Sequence, residues 1–323
     1  MDRRVSLTAV GIAGLLLVAG CGSSASEPGN SSASASGTDI TVGTGLTLPG
    51  TSFYLAAQDG TFTKNHLSAT PQVVTSGAQA IPLLLNGQIQ FAISDPVGAI
   101  KAISENIPVE IVAQGPVVSP DPAKDTTGLI VDPSVSTVQD LVGKTVAVNS
   151  LNSLSQLAAA KSIDLAGGDS SRVKFVEMPV PQMAAAVKAG TVTGAAISEP
   201  YLSAAKAYGV KTLLPILCRA FPAAPMVVYL ASTPYASSHP QVVKEFVASI
   251  AAANTTLATN PATLKSVGAS VSKMTAAQLA TTILVTYVAT PISLEALKTV
   301  MDVMVAYNVL KTPIDLQGHI YSS

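Results

Sequence analysis

Two acidic residues follow a serine at the ends of short apolar runs, in two segments that nearly repeat. Residues 92–96 read Ala-Ile-Ser-Asp-Pro and residues 196–200 read Ala-Ile-Ser-Glu-Pro, so Asp95 and Glu199 hold matching positions. A carboxylate and a proline are typical of the first turn of a helix. Such a carboxylate accepts hydrogen bonds either from its own helix or from a bound molecule. The repeat therefore predicts two similar corners, each with a candidate polar contact for a ligand.

Each corner is expected between a strand that precedes it and a helix that follows it. A helix-like run ends in glycine (Gly87 or Gly190), and a short strand, Phe91–Ile93 or Ala195–Ile197, then leads into the serine. Ligands of open α/β sheets bind at the carboxyl ends of the strands. Strand–helix units repeat along the body of the chain, which predicts an α/β fold of two Rossmann-like lobes with mainly parallel sheets.

The N-terminal residues predict export and attachment to a membrane. Two arginines precede an apolar run from Val5 to Val18, a secretory signal that is too short for a membrane span. Val18-Ala-Gly-Cys21 resembles the bacterial lipobox, in which the cysteine receives a lipid. Residues 1–20 are therefore assigned to a lipoprotein signal peptide, and residues 21–38 to the lipidated Cys21 and a flexible Ser/Ala/Gly linker. The expected location is the outer face of the bacterial cytoplasmic membrane; a plain signal peptide with an incidental cysteine is the alternative.

Composition argues against several classes of protein. The formal net charge of −1 provides no basic surface for nucleic acid. The histidines are His66, His239 and His319, none of which forms a pair at metal-ligand spacing, so we expect no metal, no cofactor and no catalytic residue. Once Cys21 carries a lipid, Cys218 has no partner for an intramolecular disulfide. A body without disulfides must be stabilised by core burial. We also expect the protein to be a monomer.

Local signals give the element boundaries. Serine and glutamine three residues apart, starting at Ser76, Ser153 and Ser238, are typical of capping boxes. A turn signal at Asp132-Pro-Ser predicts a crossing between lobes, with lobe 1 formed by 39–131 plus 227–323 and lobe 2 by 132–226. One helix is expected from residue 51 or 52 to 65, and C-terminal helices on lobe 1 are expected at 261–268, 275–288 and 293–307.

Four short motifs occur in an order that resembles a known family. They are Tyr54-Leu-Ala-Ala-Gln-Asp-Gly-Thr-Phe, the stretch Leu84–Ala92, Leu141-Val-Gly-Lys-Thr-Val-Ala-Val and Glu199-Pro200. With the element order over about residues 39–310, they resemble the periplasmic-binding-protein-like proteins (NMT1/THI5-like, SsuA-like) of ABC importers for nitrate, sulfonates, taurine and thiamine-precursor pyrimidines. Two departures stand out, because Gln90 and Thr193 replace an aspartate that many relatives carry.

The resemblance implies a type II periplasmic-binding-protein fold with a two-strand hinge and a ligand bound between the lobes. The expected function is capture of a small polar organic solute, sulfonate/taurine-like or carboxylate-like, for an ABC permease and its ATPase. A thiamine-precursor pyrimidine or similar heterocycle is the alternative ligand. A sensory binding lipoprotein without transport is an alternative function, and an enzyme of a related cytosolic branch is a more distant one.

Candidate ligand contacts lie in loops at the starts of helices. In lobe 1 they are Leu48, Gly50, Thr51, Ser52, Ser76, Gly77, Ser94 and Asp95, and in lobe 2 they are Asn149, Ser150, Asn152, Ser153, Glu199 and Tyr201. Arg219 is a candidate clamp for a carboxylate or sulfonate, since a guanidinium binds such groups through two hydrogen bonds. Each has a structural alternative: the serines cap their helices, the acids complement helix dipoles, and the arginine is solvated.

Overall fold

The computed structural model describes residues 37–74 and 76–321. These residues belong to one compact unit, Ala35–Ser323. The lipobox, Cys21 and most of the linker lie outside the described residues. None of the described helices combines the length and the apolar character that crossing a membrane requires.

The strands of the described chain form two five-stranded sheets. The first contains β1 (Thr38–Thr44), β2 (Leu67–Val73), β3 (Phe91–Ser94), β4 (Val109–Gln114) and β10 (Val228–Ser232) in the order β2-β1-β3-β10-β4. The second contains β5 (Thr127–Val131), β6 (Thr145–Val148), β7 (Lys174–Glu177), β8 (Gly194–Ser198) and β9 (Lys211–Pro215) in the order β7-β6-β8-β5-β9.

Helices connect the strands and cover both sheets. In the first part of the chain they are α1 (Thr51–Gln58), α2 (Thr61–Lys64), α3 (Gly77–Leu85), α4 (Pro96–Ser104), α5 (Leu154–Leu165), α6 (Val180–Lys188), α7 (Tyr201–Ala205) and α8 (Leu217–Ala220). The C-terminal part contributes α9 (Thr233–Ser238), α10 (Pro240–Thr259), α11 (Pro261–Val271), α12 (Ala276–Thr281) and α13 (Leu294–Ala306). Short 3-10 helices lie at Leu48–Gly50, Pro122–Lys124, Val138–Leu141, Ser170–Arg172, Lys206–Tyr208 and Gln317–His319.

The two sheets have the same topology. Each has one strand that runs against the other four, β10 in the first sheet and β5 in the second, and each such strand follows a crossing of the chain between the sheets. The α/β fold of two lobes is thus confirmed. β3 and β8 hold equivalent positions, so the corners at Asp95 and Glu199 match in space as they do in sequence.

One lobe boundary differs from the expected one. Residues 127–131 were assigned to lobe 1, but β5 pairs with β8 and β9 and so belongs to lobe 2. The first crossing therefore precedes Thr127 rather than following Val131. Val117 of this crossing bridges Pro225 of the return crossing and also Thr286, so a third stretch of chain lies beside the hinge.

Apolar packing holds each lobe and joins them. Lobe 1 contains an aromatic cluster in which the rings of Phe91 and Phe246 stack with centroids 3.8 Å apart. A larger apolar cluster runs through both lobes and includes Val97 of α4, Leu157 of α5 and Leu297 of α13. Because α13 packs against both α4 and α5, the lobes meet through side chains as well as through the hinge.

Three of the expected helix features are wrong, and each has a local or long-range cause. The helix expected from 51 or 52 to 65 divides at Gly60, whose φ of 77° is left-handed and ends the helical run. The helix expected over 275–288 stops at Thr281, because Thr286 pairs with Val117 and cannot keep a helical conformation. The expected capping box at Ser238 does not form, since the Ser238 hydroxyl instead donates to the carbonyl of Pro234.

Candidate functional site

The carboxyl ends of the two sheets meet at Asp95. This residue follows β3 and caps α4, where its Oδ1 accepts hydrogen bonds from the backbone N–H groups of Val97 at 3.0 Å and Gly98 at 3.2 Å. The same oxygen accepts a third hydrogen bond, of 3.2 Å, from the N–H of Leu154, the first residue of α5 in lobe 2. A side chain predicted from the sequence therefore joins the two lobes.

Two features of the surroundings of Asp95 have opposite effects on the pKa of its carboxyl. Burial raises the pKa of the Asp95 carboxyl above its ordinary value, and the hydrogen bonds from Gly98, Leu154 and Val97 oppose that effect. Helix N-termini carry partial positive charge, which stabilises a carboxylate nearby. The Asp95 carboxylate thus accepts hydrogen bonds at the N-termini of two helices that belong to different lobes.

The other candidates of lobe 1 near this corner pack closely together. The Ser94 hydroxyl donates to the backbone carbonyl of Asp95 at 3.0 Å. A side chain on Gly77 would place its Cβ only 2.1 Å from Ser94 Oγ, so α3 begins directly against the end of β3. Ser76 is exposed and caps α3 by accepting a hydrogen bond from the N–H of Gln79 at 3.3 Å. The structure brings these four candidates together.

The lobe 2 loop before α5 is held by its own polar groups and by Glu177 of β7, whose Oε1 accepts from the N–H of Leu151 at 2.8 Å. Ser153 caps α5 by accepting from the N–H of Gln156 at 3.4 Å, and its hydroxyl lies 2.7 Å from the carbonyl oxygen of Ser150. Asn152 takes a left-handed conformation with φ of 54°, which asparagine tolerates better than most residues. Asn149 and Asn152 are exposed at the start of the helix that contacts Asp95, and the amide oxygen of Asn149 accepts a hydrogen bond from the Ser155 hydroxyl.

Glu199 occupies the matching corner of lobe 2 but makes different contacts. Its Oε1 accepts from the Ser203 hydroxyl at 2.7 Å and from the N–H of Ile283 at 3.3 Å, and its Oε2 accepts from the N–H of Ser203 at 3.2 Å. Burial raises the pKa of Glu199, with these hydrogen bonds opposing. Both oxygens are thus engaged, and Oε1 attaches the C-terminal chain to lobe 2 through Ile283. Its neighbour Tyr201 is exposed.

The candidates at the start of α1 lie under two tyrosines. The hydroxyl of Tyr287 accepts from the N–H of Ser52 at 3.3 Å and lies 3.3 Å from the carbonyl oxygen of Leu48. The hydroxyls of Ser52 and Tyr229 are 2.9 Å apart. Ser52 is fully buried, as is Thr51, whose hydroxyl donates to the carbonyl of Leu48 at 2.7 Å. The hydroxyls of Thr51 and Ser52 in this predicted binding loop, which also includes Gly50, therefore already have hydrogen-bond partners within the protein.

Sequence reasoning missed Thr44 and Tyr287. Thr44 is the last residue of β1, and its buried Oγ1 has no hydrogen-bond partner in the described chain. A Cβ on Gly50 would lie 3.1 Å from this hydroxyl. The rule that ligands bind at strand ends was a signal for Thr44. The sequence contains no local signal for Tyr287, because its hydrogen-bond partners lie more than 230 positions away.

Arg219 does not join the candidates around Asp95 through any contact in residues 37–74 and 76–321. It is exposed on the short helix α8, without a hydrogen bond or ion pair there. Its neighbour Cys218 is buried, and burial raises the pKa of the Cys218 thiol to about 12, which leaves it protonated. Within the described chain, no group of three or more metal-ligating side chains is placed to hold an ion.

The sequence profile described as NMT1/THI5 like matches residues 50–264, about two thirds of the chain. The chain belongs to the NMT1/THI5-like family. This match confirms the family that the motifs suggested and covers the corners at Asp95 and Glu199.

Individual relatives of this NMT1/THI5-like protein extend the comparison. It is 26% identical over 210 residues to the taurine-binding periplasmic protein of Escherichia coli (strain K12), covering 64% of this chain and 63% of that protein. The chain thus matches less than two thirds of that relative's length.

Solved structures show the same fold. The alkanesulfonate-binding protein SsuA of Xanthomonas axonopodis pv. citri, bound to MOPS, is similar with a TM-score of 0.71 and 18% identity, over 88% of this chain and 98% of that chain. The ligand-binding component of an ABC-type import system from Staphylococcus aureus, with zinc bound, gives a TM-score of 0.73 at 14% identity, over 85% of this chain and 94% of that chain. At these identities the similarity concerns the fold alone.

Proposed function

We propose that this protein is an exported solute-binding protein that captures a small polar organic solute between its lobes and delivers it to an ABC import permease and its ATPase. The observation that carries the proposal is the hydrogen bond from Leu154 N–H to Asp95 Oδ1, because it joins the carboxyl ends of two equivalent sheets. In α/β proteins this edge is where ligands bind. A ligand that contacts both lobes there stabilises the closed arrangement through its differential affinity.

The solute that we propose is sulfonate/taurine-like or carboxylate-like, and it binds without a cofactor. The named ligands of the relatives support this class, and so do the helix starts at Ser76 and Ser153, because helix N-termini bind anions. We further propose that the mature chain acts as a monomer and is lipid-anchored at Cys21, as the lipobox pattern suggests. No catalytic role is proposed for any residue.

A thermal-shift screen tests the ligand class. The purified protein is heated with taurine, ethanesulfonate, β-alanine, nitrate or an aminopyrimidine. A ligand at 100 times its Kd adds about 2.7 kcal/mol of stability, which raises the Tm of a body of this size by about 4 °C. A shift with the pyrimidine alone would replace the proposed class by the heterocycle, and no shift with any compound would refute solute binding of these classes.

Paired variants test the site. Ser153→Ala removes the cap of α5 beside the cleft, and Ser238→Ala removes a hydroxyl that contacts only nearby residues at the end of α9, Pro234, Tyr235 and His239. We expect the first to weaken binding of the solute found in the screen by at least threefold and the second to leave it unchanged. Equal affinities for both variants would contradict the placement of the site at the start of α5.

Two cellular assays test delivery and anchoring. Deletion of the gene should abolish uptake of the radiolabelled solute, and unchanged uptake would contradict a transport role in favour of sensing. In membrane fractionation, Cys21→Ala should release the protein from the membrane fraction. Retention of that variant in the membrane would contradict the lipid anchor.

A further inference from the structure

The two oxygens of the Asp95 carboxylate are used unequally. All three hydrogen bonds from Val97, Gly98 and Leu154 end on Oδ1. In the described chain, no other residue donates a hydrogen bond to Oδ2. An ionised carboxylate has about four lone-pair sites on its two oxygens. Oδ2 therefore retains its capacity to accept hydrogen bonds, at the point where the lobes meet.

The glycine at position 98 keeps a side chain away from Asp95 Oδ2. Asp95 and Gly98 are both partly exposed. A Cβ added to Gly98 would lie 3.3 Å from Asp95 Oδ2 and 3.1 Å from Ser94 Oγ, which is tighter than ordinary contact. Any residue with a side chain would thus crowd this oxygen. Because residue 98 is glycine, no Cβ lies against that side of the carboxylate.

The charge of Asp95 has no cationic partner in the part of the chain that the structure describes. Among residues 37–74 and 76–321, the only ion pair joins Lys101 and Glu105, and the groups that act on Asp95 are backbone N–H donors. Burial disfavours a carboxylate whose charge is only partly compensated, and it raises the pKa of Asp95. A cationic or N–H donor from a ligand would supply the missing compensation.

We propose that Asp95 is a specificity-determining residue whose Oδ2 accepts a hydrogen bond from the amino group of the ligand, so that the protein selects amino-bearing acids over the same acids without the amine. This inference rests on the proposed function and narrows it. Because Oδ1 already accepts from the first N–H group of α5, the acidic group of the ligand binds other donors at the helix starts at Ser76 and Ser153. The ligand class is then a small zwitterion with its amine directed at Asp95.

Calorimetry with matched ligand pairs tests the inference. The pairs are taurine with ethanesulfonate and β-alanine with propionate, each measured on the full chain. We expect the wild type to bind the amino member of at least one pair 10-fold or more tightly than its partner. Asp95→Asn, which keeps the shape but loses the charge, should reduce that ratio to below 2. The ratio is the readout because any effect of the variant on lobe closure through Leu154 acts on both members of a pair.

Two further variants separate specificity from folding. Gly98→Ala keeps the carboxylate but places a methyl group beside Oδ2, so it should lower the affinity for the amino member and spare the other; it replaces Asp95→Asn if that variant fails to fold. Asp169→Asn is the control, since Asp169 caps a 3-10 helix before β7, at the opposite end of the lobe 2 sheet. It should retain the wild-type ratio.

Failure of the inference about Asp95 can be distinguished from failure of the proposed function. Binding of the acids without amino preference in the wild type, or an unchanged ratio in both Asp95→Asn and Gly98→Ala, overturns the role of Asp95 and leaves solute binding intact. If none of the four acids binds, the proposed sulfonate or carboxylate class fails, and the inference that depends on it fails as well.

Discussion

Removal of one hydroxyl should loosen the contact between the lobes at a distance from the ligand. Tyr307, at the C-terminal end of α13 in lobe 1, donates a hydrogen bond of 2.7 Å to Oδ2 of Asp164, near the end of α5 in lobe 2. Leu154, at the other end of α5, donates to Asp95 of lobe 1. Ten residues of helix separate Leu154 from Asp164, about 15 Å. Helix α5 is therefore bonded to lobe 1 near both of its ends.

The expected size of the effect follows from the setting of this bond. A hydrogen bond to a charged group contributes about 1.5–3 kcal/mol, but Asp164 is exposed, so we reduce the value to about 1 kcal/mol. Asp164 keeps its other donors, the N–H and hydroxyl of Ser170. Tyr307→Phe therefore removes the bond between the lobes without orphaning the carboxylate. A loss of 1 kcal/mol lowers the closed-to-open ratio about fivefold.

Calorimetry and solution scattering measure this effect. For a ligand-free protein that is mostly open, Tyr307→Phe should raise the Kd of the solute about fivefold and increase the radius of gyration at subsaturating ligand. Tyr208→Phe is the matched control, because Tyr208 is exposed in lobe 2 and makes no hydrogen bond through its hydroxyl in the described chain. A Kd for Tyr307→Phe within twofold of this control would refute the assignment of this hydrogen bond to closure.

Three further perturbations test the packing around the candidate site. Tyr287→Phe removes the acceptor of the buried Ser52 N–H and should lower the free energy of unfolding in urea by about 2 kcal/mol; no change would mean that water replaces the hydroxyl. Gly77→Ala forces its Cβ against Ser94 and should cost about 1–3 kcal/mol, which Ser94→Gly in the same chain should partly restore; an equal loss in the double variant would contradict this contact. Burial raises the pKa of Asp125, so the folded protein keeps this proton at pH values where the unfolded chain has lost it, and the stabilisation disappears as pH rises through the raised pKa. The unfolding free energy of Asp125→Asn minus that of the wild type, measured from pH 4 to 7, should therefore increase with pH, and a constant difference would contradict the raised pKa.

The parts of the site that the sequence predicts correctly depend on nearby residues. The caps formed by Ser76 and Ser153 need only the N–H three positions further on, and the corner at Asp95 needs only a strand end followed by a helix. The pattern of residue types contains that information within a few positions. The hydrogen bond from Leu154 to Asp95 joins residues 59 positions apart, so the sequence predicted both ends but not their contact.

Two of the errors, the helix expected over 275–288 and the boundary at β5, have a common physical cause, which is pairing at long range. The apolar and β-branched run after Thr281 favours no single state by itself, and Thr286 is drawn out of a helix by the hinge residue Val117. The same applies to β5, because a strand belongs to whichever sheet supplies its partners. Tyr287 covers the start of α1 as a further result of this placement, and no local pattern records it.

The two corners differ in where their helices begin and in the length of their acids, because Asp95 is the N-cap of α4 whereas the N-cap of α7 is Pro200, one residue after Glu199. The shorter Asp95 reaches the first N–H groups of its own helix, and its fixed Oδ1 also meets the N–H of Leu154 in the other lobe. The longer Glu199 reaches Ser203 one turn along the helix and Ile283 of the C-terminal chain, which engages both of its oxygens. Equivalent topology therefore places two carboxylates at equivalent strand ends, but only Asp95 keeps an oxygen free. The ligand donor that we propose would find an acceptor at the Asp95 corner and none at the Glu199 corner, so the proposed binding is asymmetric although the lobes are built alike.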